Sequence, residues 1–483
     1  MNTKFTILLA TAGTIMLSGC FGGSSSGGDR LQDGLSGSGS LDEPELTNVM
    51  ALHASSDAPA VKVRMDEDTV VSGADYKQAA VLTPNSGPVT IAIDGILPGG
   101  DTVTVIESSE SLQSDRHYDV IAVGKVGDDT IQPLILEDDG VRTSSDSVRL
   151  RVVHLSPDAE TAASGAVDVY VTEAGTPLPA DETFTFAFKE SFGPIEVPAG
   201  DYQIRVTPEG SPVVVYDSGA LPLEAGSDLL VGAVDNTVAG ASPVSLLAID
   251  GATVTEVVDA NAGSGIRSVH NSADAGPVDL FVNAAPGTDL ATVGGVQFTE
   301  TVPAVAALGG YVELEAGENQ VIVTAALGII PLIDETLDLA LGERATAIAA
   351  GTLADNSIAA LVFADDNRSL ATAAKLRVIH GAFEAQVVDV YLIPTDPGGA
   401  GATEINSAEP ALDDFEFGDS SGYLQVAAGE YVVFITTTDG SQLLKTGSIS
   451  LSAGGIYTAI ARLAPEDVAN VAGLTLLDDF VVP

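Results

Sequence analysis

The chain has 483 residues, with 68 acidic against 19 basic side chains and a formal charge of −49. So acidic a surface repels phosphate, which excludes nucleic acid as a general partner, and a single cysteine excludes an intrachain disulfide. An apolar fraction of 45% excludes global disorder, because it supplies enough side chains to build cores.

From the amino terminus, Lys4 precedes an apolar run, Phe5 to Leu17, that is too short to cross about 30 Å of hydrocarbon as a helix. Leu17-Ser18-Gly19-Cys20 follows, so residues 1–19 read as a signal peptide. The ending resembles the bacterial lipobox, which implies that Cys20 is diacylated and becomes the first residue of the mature chain. The next residue is Phe21, not Asp. By resemblance to the enterobacterial sorting rule this points to the outer membrane, with the periplasmic or cell-surface face left open. Two or three acyl chains make a stable anchor where one does not. Residues 20–46 are rich in Gly and Ser and read as a flexible tether. Gly23-x-Ser25-x-Gly27 matches a hydrolase pattern only by composition, since that motif belongs on a strand-turn-helix.

Beyond the tether, four of the five histidines share one context, at intervals of about 110 residues. They are Leu52-His53-Ala-Ser-Ser-Asp57, Val153-His154-Leu-Ser-Pro-Asp158, Val269-His270-Asn-Ser-Ala-Asp274 and Ile379-His380-Gly-Ala-Phe-Glu384. An alternating strand follows each: Val61-Lys-Val-Arg64, Val167-Asp-Val-Tyr-Val171, Val278-Asp-Leu-Phe-Val282 and Val388-Asp-Val-Tyr-Leu392. Ala199-Gly200-Asp201, Ala316-Gly317-Glu318 and Ala428-Gly429-Glu430 then separate two alternating stretches and read as hairpin turns, with Gly95 or Gly99 as the counterpart in the first copy. Gly226, Gly342 and Gly454 precede a further strand. No stretch sustains a 3.6-residue period. The expected architecture is all-β: four tandem Ig-like antiparallel β-sandwiches, over 47–140 (divergent), 141–259, 260–368 and 369–483.

The pattern R-V-x-H-x-S-x-D-A, then V-D-V-Y-V and A-G-x-Y, resembles the bacterial domain of unknown function DUF4397, in all four copies. Repeat 4 departs at Ala382 and Glu384, and repeat 1 at Lys62. The resemblance implies an Ig-like sandwich in secreted or envelope proteins and carries no catalytic residue to transfer.

Alternation places each histidine at the end of the core-facing row of its strand, as a buried imidazole bonded to the Ser/Asp turn after it. A metal ligand is the alternative, weakened by having one histidine per domain. His117 lies outside the pattern with no nameable partner. On the opposite face, Arg151, Arg267 and Arg377 precede their histidines by three residues, and Asp168, Asp279 and Asp389 lie on the next strand. We expect three cross-strand ion pairs that help set register: Arg151–Asp168, Arg267–Asp279 and Arg377–Asp389. Repeat 1 changes both positions, to Met50 and Lys62.

In repeat 3 a turn that is polar in its sisters becomes Leu327-Gly-Ile329-Ile330, which predicts packing against a neighbouring repeat or contact with an external partner. The acids either solvate the whole surface or bind Ca²⁺ at turns such as Asp128-Asp129, Glu137-Asp138-Asp139 and Asp365-Asp366; Ca²⁺ is the one cofactor that suits them. There is no H-E-x-x-H, C-x-x-C or Walker A motif. The expected role is a non-enzymatic envelope lipoprotein, a spacer or adhesion module for an envelope protein or polysaccharide. A Ca²⁺-stiffened rod and an envelope hydrolase are the alternatives.

Overall fold

The computed structural model describes residues 46–303, 310–396, 404–405, 408–463 and 472–480. The signal peptide, Cys20 and all of the expected tether except Leu46 lie outside this set, as do the side chains of the closing acids Asp478 and Asp479.

Period-two alternation of Val, Ile, Leu and Ala with polar residues produces strands throughout, and four units each place two sheets face to face. In the first unit, Ala79–Leu82, Asn48–His53, His117–Val123 and Gln132–Asp138 form one sheet. Asp68–Ala74, Val61–Met65, Gly87–Ile96 and Thr102–Leu112 form the other. The other units keep this plan. The histidine strands Ser147–His154, Ser264–His270 and Ala374–His380 lie in the first sheet, and Val167–Glu173, Val278–Val282 and Val388–Thr395 lie in the second. The chain therefore folds as four tandem β-sandwiches. One pair in each is parallel, the histidine strand with Asn48–His53's partner His117–Val123 or its counterparts Asp228–Asp235, Arg344–Ala350 and Ile456–Leu463. Every other described pair is antiparallel.

The glycine turns differ from the sequence expectation. Ser191–Pro198 pairs with the histidine strand, whereas Gly200–Pro208 pairs with Val167–Glu173 in the other sheet, so Ala199-Gly200 is an arch between sheets and not a hairpin. The same holds at Gly317 and Gly429. In repeat 1 the arch falls between Ala79–Leu82 and Gly87–Ile96, at neither Gly95 nor Gly99. Gly226, Gly342 and Gly454 all adopt φ between 80° and 88°, a left-handed conformation that favours glycine ahead of the returning parallel strand.

Beyond the core within each sandwich, the first sheets of repeats 1 and 2 pack against each other through Met50, Leu52, Ile121, Val153, Leu230 and Leu247. Those of repeats 3 and 4 do the same through Val269, Ile348, Ile379 and Ile460. Each of these sheets is covered on both faces. His117–Val123 and Ala374–His380 are accordingly buried along their whole length. The four sandwiches thus assemble as two pairs, each four sheets thick.

Candidate functional site

The recurring histidine is buried in all four copies. In each, Nδ1 accepts the backbone N–H two residues on, from Ser55, Ser156, Ser272 and Ala382, at 3.3–3.4 Å. In three copies Nε2 faces a carbonyl six residues on: Pro59 at 3.0 Å, Gly276 at 2.7 Å and Gln386 at 2.6 Å. An acceptor on one side and a donor on the other define a neutral imidazole protonated at Nε2. Burial reinforces this, lowering His53 and His154 to about 4 and also lowering His270 and His380.

Repeat 2 is the exception. Its motif turn forms a short helix, Pro157–Ala163, capped by Ser156, and Gly165 takes the Glu160 carbonyl that would otherwise meet the imidazole. His154 Nε2 is therefore buried with no hydrogen-bond partner among the described residues. Replacing His154 with leucine strands only the Ser156 amide and removes an unpartnered nitrogen, so it is expected to stay within about 1 kcal/mol of the parent, whereas His270→Leu strands a carbonyl as well as an amide and costs about 1–3 kcal/mol. Denaturant melts of the two variants check the difference; an equal loss would overturn it.

The motif aspartate is a loop clamp. Asp57 accepts the backbone N–H groups of Val126 and Gly127, both at 2.8 Å. Asp274 accepts those of Leu353 and Ala354 at 2.7 and 2.9 Å. In repeat 2, Asp158 turns instead to Lys125 of repeat 1, at 2.7 Å. Beside it the buried Asp235 accepts Ser156 Oγ at 2.5 Å and Ser56 Oγ at 2.6 Å, one hydroxyl from each repeat. Burial raises the Asp235 pKa.

The expected Arg–Asp pairs do not form. Arg151 and Asp168 lie in opposite sheets of one sandwich, and their outward faces point away from each other. The same separation holds for Arg267 and Asp279, and for Arg377 and Asp389. Each aspartate instead holds turns of its own sheet. Asp168 accepts Thr185 Oγ1 and Gly210 N, Asp279 accepts Gly295 N and Leu327 N, and Asp389 accepts Asp414 N.

The arginines are buried at the seams between repeats. Arg151 reaches into repeat 1, to Asp138 at 3.0 Å, Asp119 at 3.3 Å and the Glu137 carbonyl at 3.0 Å. Arg377 reaches into repeat 3, to Asp365 at 2.6 Å and the Ala364 carbonyl at 2.9 Å. Asp138 and Asp365 occupy the same place in their repeats, so both pairs close with the same clamp. Arg267 stays within repeat 3, on Thr346 Oγ1 at 2.7 Å and Asp365 at 3.6 Å. Repeat 1 places Met50 here, in the apolar seam. His117 also acquires a partner, Asp119 at 2.8 Å.

These contacts engage Asp138 and Asp365, two of the acids that suit Ca²⁺ by sequence, but not the turn Asp128-Asp129. Asp138 also accepts Arg149 at 2.6 Å and Gly140 N; burial alone would raise its pKa, but Arg149 holds it below the ordinary range. Asp366 meets Lys375 at 2.5 Å. Among the described residues no three His, Cys, Asp or Glu side chains gather in a way that could hold a metal ion.

The apolar turn of repeat 3 does not pack on a neighbour, contrary to the first expectation for it. Leu327 is 97% exposed, Ile329 67% and Ile330 78%, and Leu290 on the adjoining loop is 93% exposed. Leu327 has φ 61°, at the position where repeat 2 has Gly210 at φ 68°. A branched, exposed side chain in left-handed backbone is costly and persists only where something holds it. Here Asp279 does so, accepting Leu327 N at 2.7 Å.

The sequence model of DUF4397, a domain of unknown function, matches residues 47–170, 160–281 and 264–391. The match thus runs through the first three sandwiches and into the opening strands of the fourth. No curated protein matches. Among solved structures, a candidate adhesin from Bacteroides ovatus is similar at 10% identity and a TM-score of 0.12, covering 48% of this chain and 98% of its own.

Proposed function

The chain belongs to the DUF4397 family, and on that footing we propose that it is a non-enzymatic, lipid-anchored protein of the cell envelope, a rigid acidic spacer that presents an interaction surface. The observation that carries this reading is where the recurring polar residues are used. The histidines pin motif turns, Asp57 and Asp274 clamp loops, and Arg151 and Arg377 join repeat to repeat. What repeats in this molecule is scaffold. Surface individuality lies outside the repeat pattern, above all at Leu327, Ile329 and Ile330 of repeat 3. The −49 charge keeps such an array soluble and apart from its copies.

Outer-membrane anchoring through Cys20 is the cellular half of the proposal and is tested by fractionation. The wild-type chain is expected in the membrane fraction, with its amino-terminal peptide diacylated at Cys20 by mass spectrometry. Cys20→Ala is expected to move to the soluble fraction with its fold intact. A Cys20→Ala chain that still sediments with membranes would remove the anchor from the proposal.

A further inference from the structure

We propose that the free edge of strand Pro331–Leu339 in repeat 3, with the apolar tip leading into it, docks an extended peptide segment carrying Lys or Arg at alternate positions. The inference rests on the interaction-module reading and names the class of partner.

The strand is the last of its sheet and pairs on one side only, with Gly317–Ala325. Among the described residues no backbone group of 331–339 hydrogen-bonds to anything beyond that partner. A bulge at Leu332 interrupts the register near the start of the strand, and beyond it the edge runs on over 333–339, an open template for another strand. The sister repeats treat this edge differently. Repeat 2 breaks it into Tyr216–Asp217 and Leu221–Leu223, and repeat 4 into Gln442–Lys445 and Ile449–Leu451. Broken edges discourage strand addition. Repeat 1 keeps a long edge, Thr102–Leu112, but approaches it through Gly99 and Gly100. Among the described residues, repeat 3 alone combines a run of edge such as 333–339 with an exposed apolar tip.

Charge identifies the occupant. Asp334 and Asp338 are exposed on one face of the strand, and Glu318 lies directly across from Asp338 in register. None of the three has an ion-pair partner among the described residues. At the seams, by contrast, the scarce cations are matched to carboxylates. Like charges placed opposite one another are unfavourable until a cation joins them. A second copy is a poor occupant: antiparallel self-pairing about Thr336 sets Asp334 against Asp338 twice. A basic strand relieves the repulsion, its backbone completes the ladder, and Leu327, Ile329 and Ile330 receive an apolar residue at its end.

The test titrates the purified full chain with three capped, strand-length peptides at an ionic strength that screens the bulk charge. They are an alternating Lys–Val peptide, an alternating Glu–Val peptide, and the Lys–Val peptide N-methylated at alternate amides. The expected result is saturable binding of the Lys–Val peptide only. N-methylation keeps the charge but deletes ladder donors, so it should weaken binding by about tenfold or more. Asp334→Lys with Asp338→Lys should weaken it as much. Leu327→Gly should bind less tightly while melting at a higher temperature, because glycine relieves the left-handed backbone as it removes the contact.

Equal binding of the plain and N-methylated peptides would overturn the proposal in favour of simple attraction to an acidic surface. So would full binding by the double lysine variant, no binding of the Lys–Val peptide, or concentration-dependent self-association through this edge. Each of these leaves the Cys20 fractionation result untouched, and a failure of anchoring leaves the peptide titration untouched, so the two readings fail separately.

Discussion

Replacing Arg377 with alanine is expected to destabilise the chain by about 3 kcal/mol, because it leaves a buried carboxylate without its nearer cation. Asp365 is fully buried, and its remaining partners are Thr346 Oγ1, the Tyr311 hydroxyl and Arg267 at 3.6 Å. The Ala364 carbonyl loses its donor as well. The loss belongs to the seam between repeats 3 and 4, so hydrogen exchange should rise in Ala374–His380 and Arg344–Ala350 before the outer sheets respond. Four packed sandwiches do not unfold in a single two-state step, so the first transition of a urea melt is the quantity to compare. Combining Arg377→Met and Arg267→Met with Asp365→Asn should recover more than half of the loss, since none of the three buried charges then remains. Arg151→Ala should be milder, because Asp138 keeps Arg149 at 2.6 Å. Equal effects at Arg377 and Arg151, or no rescue by the triple variant, would show that the seams are held by their apolar contacts alone.

Acidification should weaken the fold between about pH 6.5 and pH 4. His53 and His154 have pKa values lowered by burial from 6.5 to about 4. Above 6.5 both folded and unfolded chains hold them neutral, and the stability is fully present. As the pH falls below 6.5 the unfolded chain takes up protons that the folded chain refuses, so stability declines until the folded histidines titrate near 4. At pH 5 this amounts to about 2 kcal/mol for each of the two. His270 and His380 shift in the same direction and add to the loss. Asp235, raised by burial, works the other way, gaining stability as the pH falls. Urea melts at pH 7 and pH 5 in high NaCl, which screens the bulk charge, should differ by several kcal/mol, and His53→Leu should reduce the difference. A stability that is flat or rising across this window would refute the neutral-imidazole arrangement.

The repeat, its histidine and the sandwich class are legible in the sequence because alternation is a local signal. Leu150, Val152 and His154 share a face, and Val169 and Val167 share the face they meet. Two features were not local. Alternation assigns Arg151 and Arg377 to the side away from the core, and by itself that side reads as solvent. Only the neighbouring sandwich makes it an interior. Val153, Val269 and Ile379 on that side were the available hint, since a strand apolar on both faces is a strand covered on both faces. Nor does alternation say which sheet a strand joins, which is why the turns at Gly200, Gly317 and Gly429 read as hairpins in the sequence and are arches in the fold. The tip at Leu327 was legible as an oddity, but whether a neighbour covers it depends on how repeats are oriented, and no single strand encodes that.

The segment joining repeats 3 and 4 reaches back to the beginning of the fold. Arg368 donates to the carbonyls of Ser56 at 3.3 Å and Ala58 at 2.9 Å and pairs with Asp75, and Ala371 N bonds the Asp57 carbonyl. The donor and its acceptors are 312 and 310 residues apart. A chain made from its amino terminus therefore adds these last bonds to its first-made motif turn only after three sandwiches have been synthesised.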